Sequence, residues 1–207
     1  MGEVFDAFQS EKFLKRYIPV SKNQLVKSIG EIKIKTPLVL KIISKDALHK
    51  TEINGVRIIK SNQELESNFK DLIKTANKKK IKLKGIMVQE FYKGEQLIIG
   101  IKKDPVFNHV ILFGLGGIFT EVLDDISIRK CPITLQDAKE MISELKAKKI
   151  FEGFRGKKLN TNLLKKVLVE ISKIPTNNKK IAELDINPFI LNEKSGKVVD
   201  SRIIFSD

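Results

Sequence analysis

The chain carries, close to its end, the stretch Glu183-Leu184-Asp185-Ile186-Asn187-Pro188. Alternation along a β-strand would place Glu183, Asp185 and Asn187 on one face of the strand and the apolar residues on the other. Oxygen-bearing side chains grouped in this way suit Mg²⁺, which takes one or two carboxylates together with phosphate oxygens and water. A strand with one solvated polar face has the same pattern, so the stretch alone leaves both interpretations open.

Strand and helix periodicities continue outward from this stretch through the whole chain. Apolar runs predict strands at residues 38–43, 56–59, 85–91, 96–102, 106–113, 118–122, 181–186 and 197–205. Helical spacing predicts helices over residues 5–17 and 23–29, after a capping box at residues 61–64, from about Thr134, and over residues 164–174. This order predicts an α+β fold, with a small lobe of about residues 21–88 set against a larger lobe of about residues 1–20 plus 89–207.

The composition narrows the class of protein. A chain of 207 residues with 42% hydrophobic residues is large enough to bury a core. No run approaches the roughly 18 apolar residues needed to cross a bilayer, and the first residues lack the pattern of a signal peptide. Cys131 is the only cysteine, which excludes an internal disulfide. These features predict a soluble cytoplasmic protein without membrane contact.

The formal net charge of +14 raises the hypothesis of a nucleic-acid partner. The excess is mostly lysine and is spread along the chain, with runs such as Lys78-Lys79-Lys80. Neither an RNA-recognition motif nor zinc-finger spacing is present. Solvated lysine-rich faces therefore explain the charge more simply, and nucleic-acid binding is the least favoured hypothesis.

Two residues in the first third of the chain could act on phosphate. Lys41 is a lone cation within the apolar run 38–43, so its ammonium either reaches solvent at the strand edge or meets a phosphate. His49 lies in a polar stretch between two predicted strands, and a neutral imidazole nitrogen can accept a phosphoryl group near neutral pH. A lone surface histidine more often has no such role, and His109 has no comparable context.

A glycine pair and two arginines are the other candidates. Gly116-Gly117 follows an apolar run and would let the backbone approach phosphate oxygens, although a plain tight turn also fits and neither a Walker loop nor a dinucleotide fingerprint is present. Arg129 and Arg202 carry planar heads that suit phosphate. For Arg202, an ion pair with Asp200 on the same strand face is the simpler alternative.

Several motifs follow one another in a characteristic order, at residues 37–56, 85–90, 104–119, 121–123, 125–129, 153–156, 183–188 and 199–203. As a set they resemble the ATP-grasp beta subunit of ADP-forming acyl-CoA synthetases, and the resemblance covers nearly the whole chain. It implies a single ATP-grasp module of residues 1–207, an ATP-grasp fold of two α/β lobes with the nucleotide bound between them. It also implies a reversible reaction in which acyl-CoA, ADP and phosphate give the free acid, CoA and ATP.

The resemblance implies partners and residue roles as well. A CoA-binding alpha subunit would carry a first phosphohistidine in a hetero-oligomer, and Mg²⁺ would accompany ATP or ADP as substrate. His49 would be the second phosphoryl carrier, with Lys41 and Arg129 as the other catalytic residues. Asp185 and Asn187 would hold the metal. Lys41 would also contact the nucleotide, together with Asn54, Gly55, Val56, Gln89, Glu90 and Gln96, and the phosphate loop would contain Gly116, Gly117 and Glu121.

The sequence departs from the family pattern at Gln96, at Asn54 and at Asn108-His109, which replaces a typical Gly-Pro, and the departure at Gln96 keeps a second hypothesis open. Gln96 stands where the family usually has Glu, which removes a charge from a position that could bind the ribose hydroxyls. Asn54 stands where a second glycine is usual before Gly55. The alternative is a non-catalytic or regulatory ATP-grasp module, related to those of acyl-CoA synthetase-like protein acetyltransferases.

Overall fold

The structure, a computed structural model, describes residues 2–44, 54–116, 125–153 and 158–207. The strands in these residues are β1 (Val4–Phe5), β2 (Asn23–Val26), β3 (Leu38–Ser44), β4 (Val56–Ile59), β5 (Leu83–Glu90), β6 (Glu95–Asp104), β7 (Asn108–Leu115), β8 (Ile126–Lys130), β9 (Ile181–Leu191), β10 (Gly196–Val198) and β11 (Ser201–Phe205). The helices are α1 (Ala7–Leu14), α2 (Asn62–Lys78), α3 (Leu135–Glu144), α4 (Lys149–Glu152) and α5 (Thr161–Asn177). The mixed helix and strand content confirms the predicted fold class.

The chain divides into two compact units, a larger unit of Met1–Phe5, Ser10–Val20 and Lys93–Asp207 and a smaller unit of Asp6–Gln9 and Ser21–Tyr92. In the smaller unit, four antiparallel strands lie in the order β2-β5-β3-β4. Helix α2 covers one face of this sheet, where Leu40 and Ile42 pack with Phe69 and Leu72 in a fully or nearly fully buried core. The alternate residues of β3 therefore point to the opposite face.

The larger unit is built on a sheet in the order β1-β11-β9-β6-β7-β8, with β10 paired to β9, and every described pairing in it is antiparallel. Helices α3 and α5 supply Met141 and Leu168 to the same core as Ile101, Ile111 and Leu184 of the sheet. These two helices cover one face of the sheet. The other face is the one on which the candidate metal residues lie.

The helix predicted at residues 23–29 is wrong. Residues Asn23–Val26 form β2, which pairs antiparallel with Gln89–Ile86 of β5, and only a short 3₁₀ helix follows at Ile29–Glu31. Val26 packs in the α2 core, whereas Leu25 packs beside Met87 in a separate cluster, so adjacent apolar residues point to opposite faces. Pairing with a strand 60 residues away along the sequence overrides the local helical spacing.

Strand β8 is an element that the apolar pattern does not predict. Its apolar residues Ile126 and Ile128 are 38% and 49% exposed, while Ser127 between them is buried. Ser127 points to the face that the helices cover, where an apolar residue is usual. Apolar and polar residues still alternate, but a rule that puts the apolar residues in the core does not describe this strand.

The helix ends were predicted with mixed success. Thr134 caps α3 as expected, because its hydroxyl accepts from the Asp137 backbone N–H at 3.1 Å and the Asp137 carboxylate accepts from the Thr134 backbone N–H at 2.7 Å. Helix α2 follows Ser61 as predicted, but the reciprocal capping box is wrong. The Ser61 hydroxyl donates to the Glu64 side chain at 3.1 Å and makes no capping bond to the backbone.

The predicted strand 197–205 is two strands, β10 and β11, separated by Val199 and Asp200. The strand predicted at 118–122 lies outside the described residues. In the parts of the chain that the structure describes, no helix is long and apolar enough to cross a membrane.

Candidate functional site

Asp185 lies in the middle of β9, on the face of the larger sheet that the helices leave uncovered. Its neighbours Leu184 and Ile186 are fully buried in the core on the other face. The cross-strand partners of Asp185 are Arg202 on β11 and Gly100 on β6. The predicted alternation along this strand is therefore confirmed.

Charged groups surround the Asp185 carboxylate. Burial is the main cause that raises the pKa of Asp185 above its ordinary value of 3.8, and the nearby carboxylates of Glu183 and Asp200 raise it further, whereas the Arg202 guanidinium lowers it. Arg202 donates from Nη2 to Glu183 Oε1 at 3.0 Å. The arginine therefore has Glu183 as an ion-pair partner on this face.

The oxygen donors on this face fit a magnesium ion that also binds phosphate. Asp185 offers a half-buried carboxylate, and Asn187, two residues further along the same strand, offers an exposed amide oxygen. Within the described residues, no group of three or more His, Cys, Asp or Glu side chains is arranged to hold a metal by itself. Mg²⁺ commonly uses one or two protein carboxylates and fills its other positions with water and substrate phosphates.

In the smaller unit, the structure places Lys41 and Gln89 on the sheet face opposite helix α2. Lys41 is only 6% exposed, and it pairs with Met87 on β5 and with Val56 on β4. Gln89 is 1% exposed and lies opposite Val39, one residue pair along the same face. Lys41 as a whole residue is thus nearly buried within the sheet.

The neighbouring candidates of the smaller unit occupy the turn before β4 and the end of β5. Asn54 has φ of 53°, in the left-handed region that glycine adopts freely, and its carbonyl accepts from Arg57 Nη1 at 2.6 Å. The Gly55 carbonyl accepts from the Ile42 backbone N–H at 2.9 Å, which brings Gly55 and Val56 against the Lys41 strand. The backbone N–H of Glu90 donates to Lys22 O at 2.9 Å.

Arg129 lies on the helix-covered face of the larger sheet. It is paired across the strands with Ile111, a core residue, and its guanidinium forms an ion pair with Glu144 at the end of α3. The pKa of Glu144 is lowered by hydrogen bonds from Arg129 and from the Ser127 hydroxyl, which donates at 2.7 Å. The structure therefore does not bring Arg129 together with Asp185, which points to the other face.

Gly116 and Gln96 meet through their backbones at the end of β7. The Gly116 N–H donates to Gln96 O at 2.7 Å, and a Cβ on Gly116 would lie 3.0 Å from that carbonyl. This close approach explains the glycine by packing alone. The side chain of Gln96 is exposed. The other candidates of the phosphate loop, Gly117 and Glu121, lie outside the described residues, and so does His49.

Comparison with known proteins places these residues in a family. The profile of a family described as the ATP-grasp domain matches residues 2–205. The chain belongs to the ATP-grasp family. This confirms the predicted fold.

Curated relatives of this ATP-grasp chain are ADP-forming CoA ligases. It is 37% identical to the beta subunit of ADP-forming acetate–CoA ligase I of Pyrococcus furiosus, and the alignment covers 95% of this chain and 89% of that subunit. It is 35% identical to ADP-forming acetate–CoA ligase I of Archaeoglobus fulgidus, covering 83% of this chain but 26% of the longer relative. The ATP-grasp chain therefore spans about a quarter of that relative.

Solved structures similar to this ATP-grasp chain include acetyl-coenzyme A synthetase 1 of Ca. Korarchaeum cryptofilum. Its complex with coenzyme A, Ca-AMPCP and HgCl⁺ has a TM-score of 0.94 and 37% identity, and the match covers 98% of this chain and 93% of that chain. Another structure of the same protein contains coenzyme A and Mg-AMPPCP, with its phosphohistidine segment pointing towards the nucleotide binding site, and has a TM-score of 0.86, 37% identity, and coverage of 98% and 92%.

Proposed function

We propose that this chain is the nucleotide-binding beta component of an ADP-forming acyl-CoA synthetase. It transfers a phosphoryl group between a phosphohistidine and ADP, in a reaction that turns acyl-CoA, ADP and phosphate into free acid, CoA and ATP. The observation that carries the proposal is the 37% identity over 95% of the chain with a relative that is itself a beta subunit, 89% of which is covered. A CoA-binding alpha component with a first phosphohistidine is the partner of this proposal.

The larger unit supplies the metal ligands in this proposal. Asp185 and Asn187 hold Mg²⁺, which when bound offsets the charge on the phosphate oxygens during transfer. Arg202 lies beside Asp185 and carries a guanidinium suited to phosphate, and Glu183 orients it in the absence of nucleotide. The Mg-AMPPCP in the similar structure of Ca. Korarchaeum cryptofilum supports a magnesium nucleotide as the ligand.

In this proposal the smaller unit supplies a cation, a turn that contacts phosphate, and polar residues that bind the adenine and ribose. A cationic residue that is nearly buried, such as Lys41, suits an anionic phosphate, because the interaction is stronger where water is excluded. The turn of Asn54, Gly55 and Val56 lies against the Lys41 strand and is the second element of this phosphate contact. In this proposal the adenine and ribose are bound by Gln89, Glu90 and Gln96. The phosphate loop is formed by Gly116, Gly117 and Glu121.

His49 is the proposed phosphoryl carrier. In the direction of ATP synthesis, a terminal phosphate oxygen of ADP attacks phosphohistidine 49, the phosphorus–nitrogen bond breaks, and a phosphorus–oxygen bond forms, which returns a neutral imidazole. The protein mainly positions the groups and neutralises their charge in such a transfer. Arg129, the other predicted catalytic residue, is assigned no role in this transfer, because its described contacts are those of a residue that holds α3.

Calorimetric titration with ADP and with ATP, with and without Mg²⁺, tests the nucleotide site. We expect binding that depends on magnesium and that is weakened at least about tenfold in Asp185→Ala, because the metal loses a carboxylate ligand. Glu66→Gln is the matched control, since it also removes a carboxylate, on the exposed face of α2. Equal binding by the wild type and Asp185→Ala would remove Asp185 from the metal site, and no binding by the wild type would overturn the proposed function.

Acid-labile labelling from the terminal phosphate of ATP tests the carrier. With the partner component and substrates supplied, we expect label in the wild type and in His109→Gln, and none in His49→Ala. His109 is the appropriate control because it is the other histidine and is buried, with Nε2 2.8 Å from Ile181 O. Label that persists in His49→Ala would reject the carrier role. Magnesium-dependent binding without any labelling would favour the non-catalytic ATP-grasp module.

A further inference from the structure

Gly100 occupies a central place in the larger sheet. It lies in β6, between β9 and β7, directly opposite Asp185 on one side and Leu112 on the other. Residues opposite one another in antiparallel strands project to the same face. On the face of the sheet opposite helices α3 and α5, Gly100 is therefore the neighbour of Asp185 on one side. Arg202 is its neighbour on the other side.

Packing does not explain why this position is a glycine. A Cβ built on Gly100 would have Leu112 Cβ and Leu184 O as its nearest neighbours, both at 3.8 Å, which is ordinary van der Waals contact. Its backbone is not in the left-handed region either. By contrast, a Cβ on Gly114 of β7 would lie 2.7 Å from Asp125 O. The sheet could hold a side chain at residue 100 and could not at residue 114.

A glycine in a strand interior weakens the strand, and it often marks a place that a ligand approaches closely. A side chain at residue 100 would begin about 5 Å from the Cβ of Asp185 and on the same face. It would occupy the space through which a ligand reaches the carboxylate, because Arg202 and Glu183 already take the other side.

We propose that Gly100 is a specificity-determining position, whose missing side chain leaves room beside Asp185 for the metal-bound phosphates of a nucleoside diphosphate or triphosphate. This inference rests on the proposed function. It adds to the nucleotide site a residue that assists binding through the space beside it and not through a polar group. A larger side chain would exclude the phosphates sterically while it leaves every metal ligand in place.

Calorimetry with Mg-ADP and thermal unfolding of Gly100→Ala and Gly100→Val test the inference. We expect both variants to fold, with melting temperatures equal to or above that of the wild type for Gly100→Ala, since its Cβ meets only ordinary contacts. We expect weaker Mg-ADP binding in Gly100→Ala and a further loss, to about tenfold or more, in Gly100→Val. Gly30→Ala is the matched control, because a Cβ there meets nothing within 4 Å and the residue lies in the smaller unit.

The outcomes separate this inference from the function on which it rests. If the wild type binds Mg-ADP and Asp185→Ala binds it more weakly, but both Gly100 variants bind like the wild type, the inference is overturned while the proposed function stands. If the wild type itself fails to bind, both are overturned. Should Gly100→Val fail to fold, the smaller Gly100→Ala substitution decides alone, and unchanged affinity in that variant overturns the inference.

Discussion

Asp185 sits in surroundings that oppose its own charge. Burial and two nearby carboxylates raise its pKa, and the single guanidinium of Arg202 offsets them only in part, because the net direction of the shift is upward. A carboxylate in such surroundings gains more from an incoming cation than an exposed one does. In the proposed metal site, the ionised carboxylate of Asp185 therefore costs stability in the free protein.

The raised pKa of Asp185 predicts that removing its charge stabilises the free protein. Because the pKa of Asp185 is higher in the folded chain than in the unfolded chain, its contribution to stability is fully present below the ordinary value of 3.8 and is lost as pH rises through the folded-state pKa. Asp185→Asn should therefore unfold at a higher temperature than the wild type near pH 7. The difference should shrink as the pH falls toward about 4.

Thermal unfolding of both proteins across this pH range measures the effect. Glu66→Gln serves as the control, because the Lys70 hydrogen bond lowers the pKa of Glu66 and its removal should not stabilise the protein. A melting temperature of Asp185→Asn below that of the wild type near pH 7 would contradict the assignment.

The backbone conformation of Asn54 leads to a second prediction for a single residue. Its positive φ costs a residue with a Cβ roughly 1–2 kcal/mol, although asparagine tolerates it better than most. Asn54→Ala should lower the free energy of unfolding by about 1 kcal/mol, whereas Asn54→Gly should leave it nearly unchanged. Urea denaturation distinguishes the two, and equal destabilisation in both variants would show that the side chain matters more than the backbone conformation.

Strand β8 and helix α3 are joined by alternate polar residues of the strand. The Asp125 carboxylate accepts from the backbone N–H groups of Lys146 and Ala147, at 2.7 and 2.9 Å, just past the end of α3. Ser127 and Arg129, the next two residues on this face, both bind Glu144. Three polar residues of one sequence motif thus hold the C-terminal end of α3 and the two residues that follow Leu145 against the strand.

This anchor predicts that Arg129 acts on stability and not on the nucleotide. Arg129→Gln and Glu144→Gln should each lower the free energy of unfolding by about 1 kcal/mol or less, because the pair is partly exposed. Mg-ADP affinity should stay the same in both. Chemical denaturation and calorimetry on the same samples check this, and loss of nucleotide binding in Arg129→Gln with unchanged stability would restore its catalytic role.

Elements with a complete local signal could be predicted from the sequence. The apolar series of α5 and the alternation of β9 match their burial in the structure. Strand β2 could not, because its partner β5 lies far away in the sequence and its apolar pattern is short. Strand β8 could not, because its apolar residues are the exposed ones. The face of Arg129 depends on its register with Ile111, which local spacing does not encode.

The candidate site was predictable to a smaller extent. Asp185 and Asn187 stand out because three oxygen-bearing residues alternate with apolar ones. Gly100 gives no such signal, since glycines in turns and glycines beside ligands look alike until the neighbouring atoms are known.

At the scale of the whole molecule, ligand binding should raise the stability of the folded chain. A ligand present at a hundred times its Kd adds about 2.7 kcal/mol, which corresponds to roughly 5–10 °C in melting temperature for a chain of this size. Mg-ADP should shift the melting temperature of the wild type and shift that of Asp185→Ala by about half as much or less, since tenfold weaker binding halves the added stability. A thermal shift assay measures both, and equal shifts in the two proteins would contradict the assigned metal site.

The pairing of the first strand with the last has a consequence for protein engineering. Val4 pairs with Ile204, and the Phe205 N–H donates to Glu3 O at 2.8 Å, so the two ends of the described chain lie side by side. A short flexible linker could join them, and new ends could be opened at the exposed turn around Val106, which is 79% exposed. Such a circular permutant would keep every described strand pairing while it moves the attachment point for a fused reporter from strands β1 and β11 to the turn between β6 and β7.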